Sequence, residues 1–263
     1  MEASIREGVI GIARAAGAAT LEIYRQDFTV EHKDDRSPLT QADLAAHRII
    51  VAGLEKLTPD LPVLSEESAS LPWGVRQRWA RYWLVDPLDG TREFVKKNGE
   101  FTVNIALIDN HEPVFGVVYA PVLDELLYGE RGRGAFKRVG AEDVPLHTRH
   151  PAVGTLRVAA SRSHLDERTA ALLTRLGEVE TQSLGSSLKF CRIAEARIDV
   201  YPRFGPTSEW DTAAAQALVE AAGGVVLELD GRPLRYNHKD SLLNPYFIVL
   251  GDPDLPWQDW LDD

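Results

Sequence analysis

The sequence predicts an α/β protein of layered sheets and helices. Two observations carry this. Segments with apolar residues at helical spacing alternate with β-rich apolar runs along the whole chain, and no internal repeat or low-complexity linker interrupts them. With 263 residues, 44% of them hydrophobic, there is ample material for one large domain or two compact lobes.

Each element follows from local pattern. Residues 3–25 place Ile5, Val9, Ile12, Ala16 and Ile23 at helical spacing. TVEHK (29–33) reads as a short strand, DDRSP (34–38) as a break, and 41–57 as a second helix with Leu44, His47, Ile50, Val51 and Leu54 on one face. PVLSEES (62–68) and YWLVD (82–86) read as buried strands that end in acid. FTVNIALID (101–109) and EPVFGVVYAP (112–121) form a hairpin through Asn110 and His111, and ELLYGERGRGAFK (125–137) gives two strands around a glycine turn.

A soft boundary near 145–155 separates an N-terminal α+β lobe (1–150), holding most of the candidate metal ligands, from a C-terminal α/β lobe (151–263). There LRVAAS (156–161) is a strand, 166–176 a helix, VETQSL (179–184) a strand and 186–197 a helix. IDVYP (198–202) follows as a strand, and 211–224 as a helix with glycines at its C-terminal cap. VVLEL and PYFIVLG close the chain as strands.

Composition excludes several classes. A single cysteine, Cys191, rules out a disulfide framework and a thiolate zinc cluster, and the seven histidines form no zinc-hydrolase pair. A net charge of −11 is the wrong sign for a general nucleic-acid binder. No run of 18 apolar residues spans a bilayer, and the N-terminus lacks the features of a signal peptide. A cytoplasmic protein is the expectation, with peripheral membrane contact left open.

Four stretches place carboxylates where a strand ends or a helix begins: TQAD (40–43), SEES (65–68), DPLDGT (86–91) and EWDT (209–212). Strand ends along one sheet edge are where α/β proteins gather their sites. Convergence of Glu66, Asp86, Asp89 and Asp211 would cost about 4 kcal/mol per close pair at an effective dielectric near 20. Protons or cations must offset that, and an all-oxygen ligand set favours a hard ion, Mg²⁺ before Zn²⁺. Pro87 would fix a turn that leaves the Leu88 carbonyl as a neutral ligand. Gly90 lets the backbone approach an anion, the Gly90 and Thr91 amides could receive phosphate, and the Thr91 hydroxyl could orient a water.

Each segment alone has an ordinary explanation. DxxDG is commonly a turn, Asp211 an N-cap, TQAD a capping box, and Glu66 with Glu67 a complement to a helix dipole. All four together, with DPLDGT on a strongly apolar strand, are not accounted for that way. The two-residue spacing between Asp86 and Asp89 departs from the D-x-D-G-T of haloacid-dehalogenase phosphatases, and no Walker motif occurs.

The ordered set Asp43, Glu66-Glu67, DPLDGT (86–91) and WDTAA (210–214) resembles the lithium-sensitive, Mg²⁺-dependent phosphatase superfamily of inositol monophosphatases, fructose bisphosphatases and bisphosphate nucleotidases. The resemblance covers essentially the whole chain and implies a five-layer αβαβα sandwich. REFVKKNGEFTVNIALI (92–108), GVVYAPVLDELLYGE (116–130) and GSSLKFCRIAEARIDVYPRFGPTSEWDTAA (185–214) are most similar to the CysQ-type 3'(2'),5'-bisphosphate nucleotidases.

That resemblance implies the following roles. Glu66, Asp86 and the Leu88 carbonyl hold one Mg²⁺, and Asp86, Asp89 and Asp211 a second; Glu67 lies alongside, with room for a third ion or a water. Asp43, Thr91 and Glu67 form the catalytic group, in which Thr91, aligned by Asp43, orients the attacking water. Glu66, Leu88, Asp89, Gly90, Thr91 and Asp211 contact the reacting phosphate. Ser186, Lys189 and Arg203 hold a second phosphate; without the resemblance, Lys189 and Arg203 read as solvated charges. The implied substrate is a small phosphorylated nucleotide, adenosine 3',5'-bisphosphate, with its sulfated relative as another. An inositol- or sugar-phosphate phosphatase and a catalytically inactive metal-binding regulatory protein are the alternatives. Related enzymes occur as monomers or homodimers.

Overall fold

The computed structural model describes residues 1–26, 30–32, 38–68, 71–161 and 167–261. Helix α1 (Ala3–Tyr24) leads to a short antiparallel pair, β1 (Val30–His32) with β2 (Pro38–Thr40), and then α2 (Gln41–Leu57). Apart from Pro38, the expected break at 34–38 lies outside the described residues. β3 (Val63–Ser65), a 3₁₀ turn at Glu66–Ser68, α3 (Trp73–Arg76), β4 (Arg81–Asp89) and α4 (Thr91–Val95) follow. The meander β5 (Thr102–Asp109), β6 (Glu112–Ala120), β7 (Glu125–Glu130), β8 (Gly134–Val139) and β9 (Glu142–Leu146) completes a seven-stranded sheet in chain order. Only its β3–β4 edge is parallel. The predicted β5–β6 hairpin is present, and Asn110 and His111 both take positive φ in its two-residue turn.

The remaining elements are β10 (Leu156–Ser161), α5 (Glu167–Leu176), β11 (Val179–Leu184), α6 (Leu188–Ala194), β12 (Val200–Arg203), α7 (Glu209–Ala221), β13 (Val225–Glu228) and β14 (Phe247–Leu250). Their strands form a five-stranded sheet ordered β11-β10-β12-β14-β13, parallel across β11, β10 and β12 and antiparallel beyond.

Period-2 alternation sorts the side chains into layers. Trp83 and Val85 of β4, with Val103, Ile105 and Leu107 of β5, pack against Val9, Ala16, Ile50 and Leu54 of α1 and α2. Tyr82, Leu84, Ala106 and Ile108, on the opposite face, meet α6 and α7 and the inner face of the second sheet. Val158, Val200, Ile248 and Leu250 face outward onto α5 and Trp257. The result is the αβαβα sandwich that the resemblance implied.

Several local expectations need correction. The buried face of α2 is Ala42, Asp43, Ala46, Ile50 and Leu54, while Leu44 is exposed, because small alanines let α2 lie close to its neighbours. The helix expected over 186–197 covers only Leu188–Ala194, since Ser186 at φ 51° and Ala196 at φ 56° leave the right-handed region. The last helix begins at Glu209 rather than 211, with Ser208 as its N-cap. α3 and β9 had no strong periodic signal.

Two close approaches fix α7 on the first sheet. A Cβ on Gly116 of β6 would collide with the Ala214 carbonyl, and one on Gly129 of β7 would lie 2.5 Å from the Leu218 Cα. The helix backbone therefore rests directly on the strands. Gly116→Ala is expected to lower stability by about 2–3 kcal/mol through overpacking and, on the roles the resemblance implies, to weaken catalysis as well, because Asp211 lies one turn from the collision. Chemical denaturation alongside an activity assay checks both effects.

Candidate active site

Asp86 and Asp89 are three residues apart, and in a regular strand they would point to opposite faces. The β4–β5 register moves from Asp86↔Asn104 to Asp89↔Thr102, so β4 carries one extra residue over this interval. That bulge brings both aspartates to one face. The chain therefore does not turn at Pro87, as the sequence suggested; β4 continues through Asp89, and the Leu88 N–H donates to Asp86 Oδ1 at 3.0 Å. The turn comes at Gly90, whose φ is +89° and where a Cβ would sit 3.1 Å from both the Glu100 carbonyl oxygen and Ser186 Cβ. Glycine is required there on both counts. α4 starts at Thr91.

Asp211 arrives from the other half of the fold. It is the third residue of α7, in a capping box in which its Oδ2 accepts from the Ser208 N–H at 2.9 Å. The simple N-cap reading of Asp211 is thus replaced: Ser208 caps, and Asp211 closes the box. Carboxylate oxygens of Asp86, Asp89 and Asp211 all lie within 4.8 Å of one another. Glu66, in the 3₁₀ turn after β3, shares a hydrogen bond with Asp86. The four acids predicted to converge do converge.

Their electrostatics follow from burial. Asp86 is 1% exposed, and its carboxyl is held well above the usual range, first by burial and then by Glu66, Asp89 and Asp211. Asp211 is raised well above its ordinary value by burial, then by Asp89 and Glu66. Such a cluster retains protons or takes a cation. All its donors are oxygens, so it suits a hard metal ion.

Asp43 serves two purposes. Its Oδ2 accepts from the Thr40 N–H at 2.8 Å and the Thr40 hydroxyl at 2.6 Å, completing the capping box of α2, while its Oδ1 lies 3.4 Å from the Thr91 hydroxyl. The Leu88 carbonyl also lies 3.4 Å from that hydroxyl. Glu67 is half-buried in the same turn as Glu66 and near His47, whose pKa is lowered by burial and held up by Glu67.

Lys189 is not a solvated charge. It is 6% exposed, and its ammonium donates to the carbonyls of Ser186 (2.6 Å) and Leu184 (3.3 Å) and lies 5.2 Å from the Tyr201 ring centroid. Burial lowers its pKa to about 8, against the pull of Asp89. Arg203 donates from Nη2 to the Pro206 carbonyl at 3.0 Å, while its Nε is buried without a hydrogen-bond partner among the described residues. The Ser186 hydroxyl donates to Asp89 Oδ2 at 2.6 Å.

Sequence reasoning missed three polar residues here: Thr102, Asn104 and Ser187. All are at most 1% exposed and hydrogen-bonded around Asp89. A polar residue inside an otherwise apolar strand, at Asn104, was the only available signal.

A model of the inositol monophosphatase family matches residues 1–249, and this chain belongs to that family. Among curated relatives, the 3'(2'),5'-bisphosphate nucleotidase CysQ of Salmonella typhimurium is 50% identical over 246 residues, covering 92% of this chain and 98% of the relative. CysQ of Escherichia coli K12 is also 50% identical, over 244 residues, with 92% and 97% covered. The crystal structure of CysQ from Bacteroides thetaiotaomicron superposes with a TM-score of 0.82 at 43% identity, covering 93% of this chain and 96% of that one. Among the described residues no helix is long and apolar enough to cross a membrane.

Proposed function

We propose that this chain is a Mg²⁺-dependent 3'(2'),5'-bisphosphate nucleotidase that hydrolyses adenosine 3',5'-bisphosphate to AMP and phosphate. The carrying observation is the meeting of Asp86, Asp89 and Asp211 oxygens within 4.8 Å beside the Thr91–Asp43 pair. The CysQ relatives supply the substrate class. Glu66, Asp86, the Leu88 carbonyl, Asp89 and Asp211 would hold two ions, with Glu67 beside a third position. When bound, Mg²⁺ supplies positive charge that offsets the crowded carboxylates, acidifies water and stabilises charge on phosphate oxygens.

The protein's own groups do the rest. Asp43, fixed by its cap, accepts a hydrogen bond from the Thr91 hydroxyl and so turns the Thr91 lone pairs toward a water. As that water attacks phosphorus in line with the ester oxygen, its proton passes to Thr91 while the Thr91 proton passes to Asp43. The P–O ester bond breaks and the ribose oxygen leaves, to be protonated from solvent. The Gly90 and Thr91 amides face the equatorial oxygens.

A buried lysine and a half-buried arginine fit a second phosphate. The Lys189 ammonium has three protons and two carbonyl partners, and Arg203 has a buried Nε without a partner. Both lie in the field of the acid cluster: Lys189 responds to Asp89, and Asp211 to Arg203. A cytoplasmic location belongs to the same reading, in keeping with the lone, buried, free Cys191.

Phosphate release from adenosine 3',5'-bisphosphate and from inositol monophosphate, each with and without Mg²⁺, tests the proposal. Release that is Mg²⁺-dependent and strongest for the bisphosphate is expected; a preference for inositol monophosphate would reassign the substrate. Thr91→Val keeps the shape and removes the hydroxyl. It is expected to lower kcat by about a hundredfold while Mg²⁺ affinity and the melting temperature stay near wild type, with Thr91→Ser recovering most of the rate.

A further inference from the structure

The ligands of the acid cluster come from separate parts of the chain: Asp86 and Asp89 from β4 of the seven-stranded sheet, Asp211 from the first turn of α7. Something must set the distance between them. Ser187 lies at that junction, 1% exposed, with its Oγ 3.0 Å from Asp89 Oδ2 and 2.9 Å from the backbone carbonyl oxygen of Asp211. One hydroxyl proton is shared between the two acceptors, so the same atom touches both halves of the site.

Ser187 occupies the N-cap position of α6, where a serine hydroxyl ordinarily accepts from its own helix, yet it makes no capping hydrogen bond. Its hydroxyl turns away to Asp89 and Asp211. A buried amide holds it there: Asn104 Nδ2 donates to Ser187 Oγ at 3.0 Å, and Asn104 Oδ1 accepts from the Thr102 hydroxyl at 3.0 Å. Asn104 is 1% exposed and sits on β5 directly opposite Asp86 in the register. The chain of bonds thus runs from the strand beside Asp86, through Asn104 and Ser187, to Asp89 and the backbone of Asp211. Ser186 and Ser187 both bond Asp89 Oδ2 and Ser208 bonds Asp211 Oδ2, so among the described residues the Oδ1 of each aspartate is left for a cation.

We propose that Ser187, held by Asn104, is a positioning residue that sets the spacing of Asp89 and Asp211 and thereby the affinity of the site for divalent cations. This rests on the reading that these carboxylates hold such ions. Hydrogen-bonding partners behind a ligand carboxylate characteristically change metal affinity by about 10–100-fold when removed.

The test measures ion binding in the absence of substrate. Mn²⁺ titration of the full-length protein, by calorimetry or by the loss of the free-ion paramagnetic resonance signal, gives the Kd for wild type and for Ser187→Ala. The variant is expected to bind about tenfold or more weakly. The Mg²⁺ concentration for half-maximal phosphate release should rise in parallel, and added Mg²⁺ should recover kcat with little change in substrate KM. Should Ser187→Ala fail to fold, Asn104→Ser, which withdraws the donor behind Ser187, carries the same test. A folded variant with wild-type Kd, or one whose lost activity does not return at high Mg²⁺, overturns the positioning role and leaves the proposed function standing. A wild-type protein that bound no divalent ion would overturn both.

Discussion

Asp86→Asn is expected to abolish phosphate release while making the metal-free protein more stable. Asp86 is the most crowded of the acids, 1% exposed and facing Glu66, Asp89 and Asp211. In the proposed function Asp86 is the ligand shared by both ions, so its loss would remove several kcal/mol of charge stabilisation; each 1.36 kcal/mol is tenfold, and a fall of about a thousandfold or more is expected. Stability moves the other way. The folded-state pKa of Asp86 lies above its ordinary 3.8. Its contribution is therefore fully present below the unfolded pKa and is lost as pH rises through the folded value. The asparagine variant lacks that loss. In chelator its advantage should be small near pH 4 and grow toward pH 8, and a gain of about 1 kcal/mol would raise the melting temperature by about 2–4 °C. Added Mg²⁺ should stabilise wild type and leave the variant unmoved. A variant melting below wild type at pH 8 in chelator would show that Asp86 is not strained by its neighbours.

Lys189→Met is expected to cut kcat/KM for adenosine 3',5'-bisphosphate by about a hundredfold to a thousandfold, the scale of losing a buried charge-assisted contact. A monophosphate substrate should lose far less. Methionine keeps the apolar stem over Tyr201 and removes only the ammonium. Equal losses on both substrates would place the effect in the Ser186 and Leu184 carbonyls that the ammonium braces. A pH profile gives an independent check. Burial lowers Lys189 to about 8 in the free protein, so the charged form is complete below that pH and is lost above it. Preference for the bisphosphate should therefore decline as pH rises past about 8, and the decline should be absent in the variant.

The parts of this site legible in the sequence were those in which a motif and an element boundary coincide. DPLDGT closes an apolar strand, WDTAA opens an alanine-rich helix, and both positions hold because strand ends and first helical turns point where the site forms. The pairing of Asp86 with Asp89 was read correctly for an incomplete reason. A turn was expected, whereas a bulge does the work, and bulges depend on the partner strand, which lies elsewhere in the chain. Asn104 left only the trace of a polar residue in an apolar strand, and its place opposite Asp86 comes from the β4–β5 register; Ser187 left none, because its hydroxyl reaches Asp89 and Asp211 only once α6 is folded against β4 and α7. Lys189 was legible as a cation but not as a buried one, because every residue of the short helix α6 is buried, a fact of tertiary packing that its own sequence does not announce. On α2, Ile50 and Leu54 are buried as expected, but weighting large side chains put Leu44 on the buried face in place of Ala42 and Ala46.

Helix ends are ordinarily the first parts of a fold to fray. Here the first turn of α2 is closed by Asp43, the same carboxylate that faces Thr91, so the proposed proton acceptor and the clasp of the helix are one group. A local opening of that turn would disarm the Thr91 hydroxyl while the rest of the sandwich stays folded. In the proposed mechanism catalytic competence would thereby be coupled to a single turn of helix, and its persistence would follow the free energy of that fraying rather than of global unfolding.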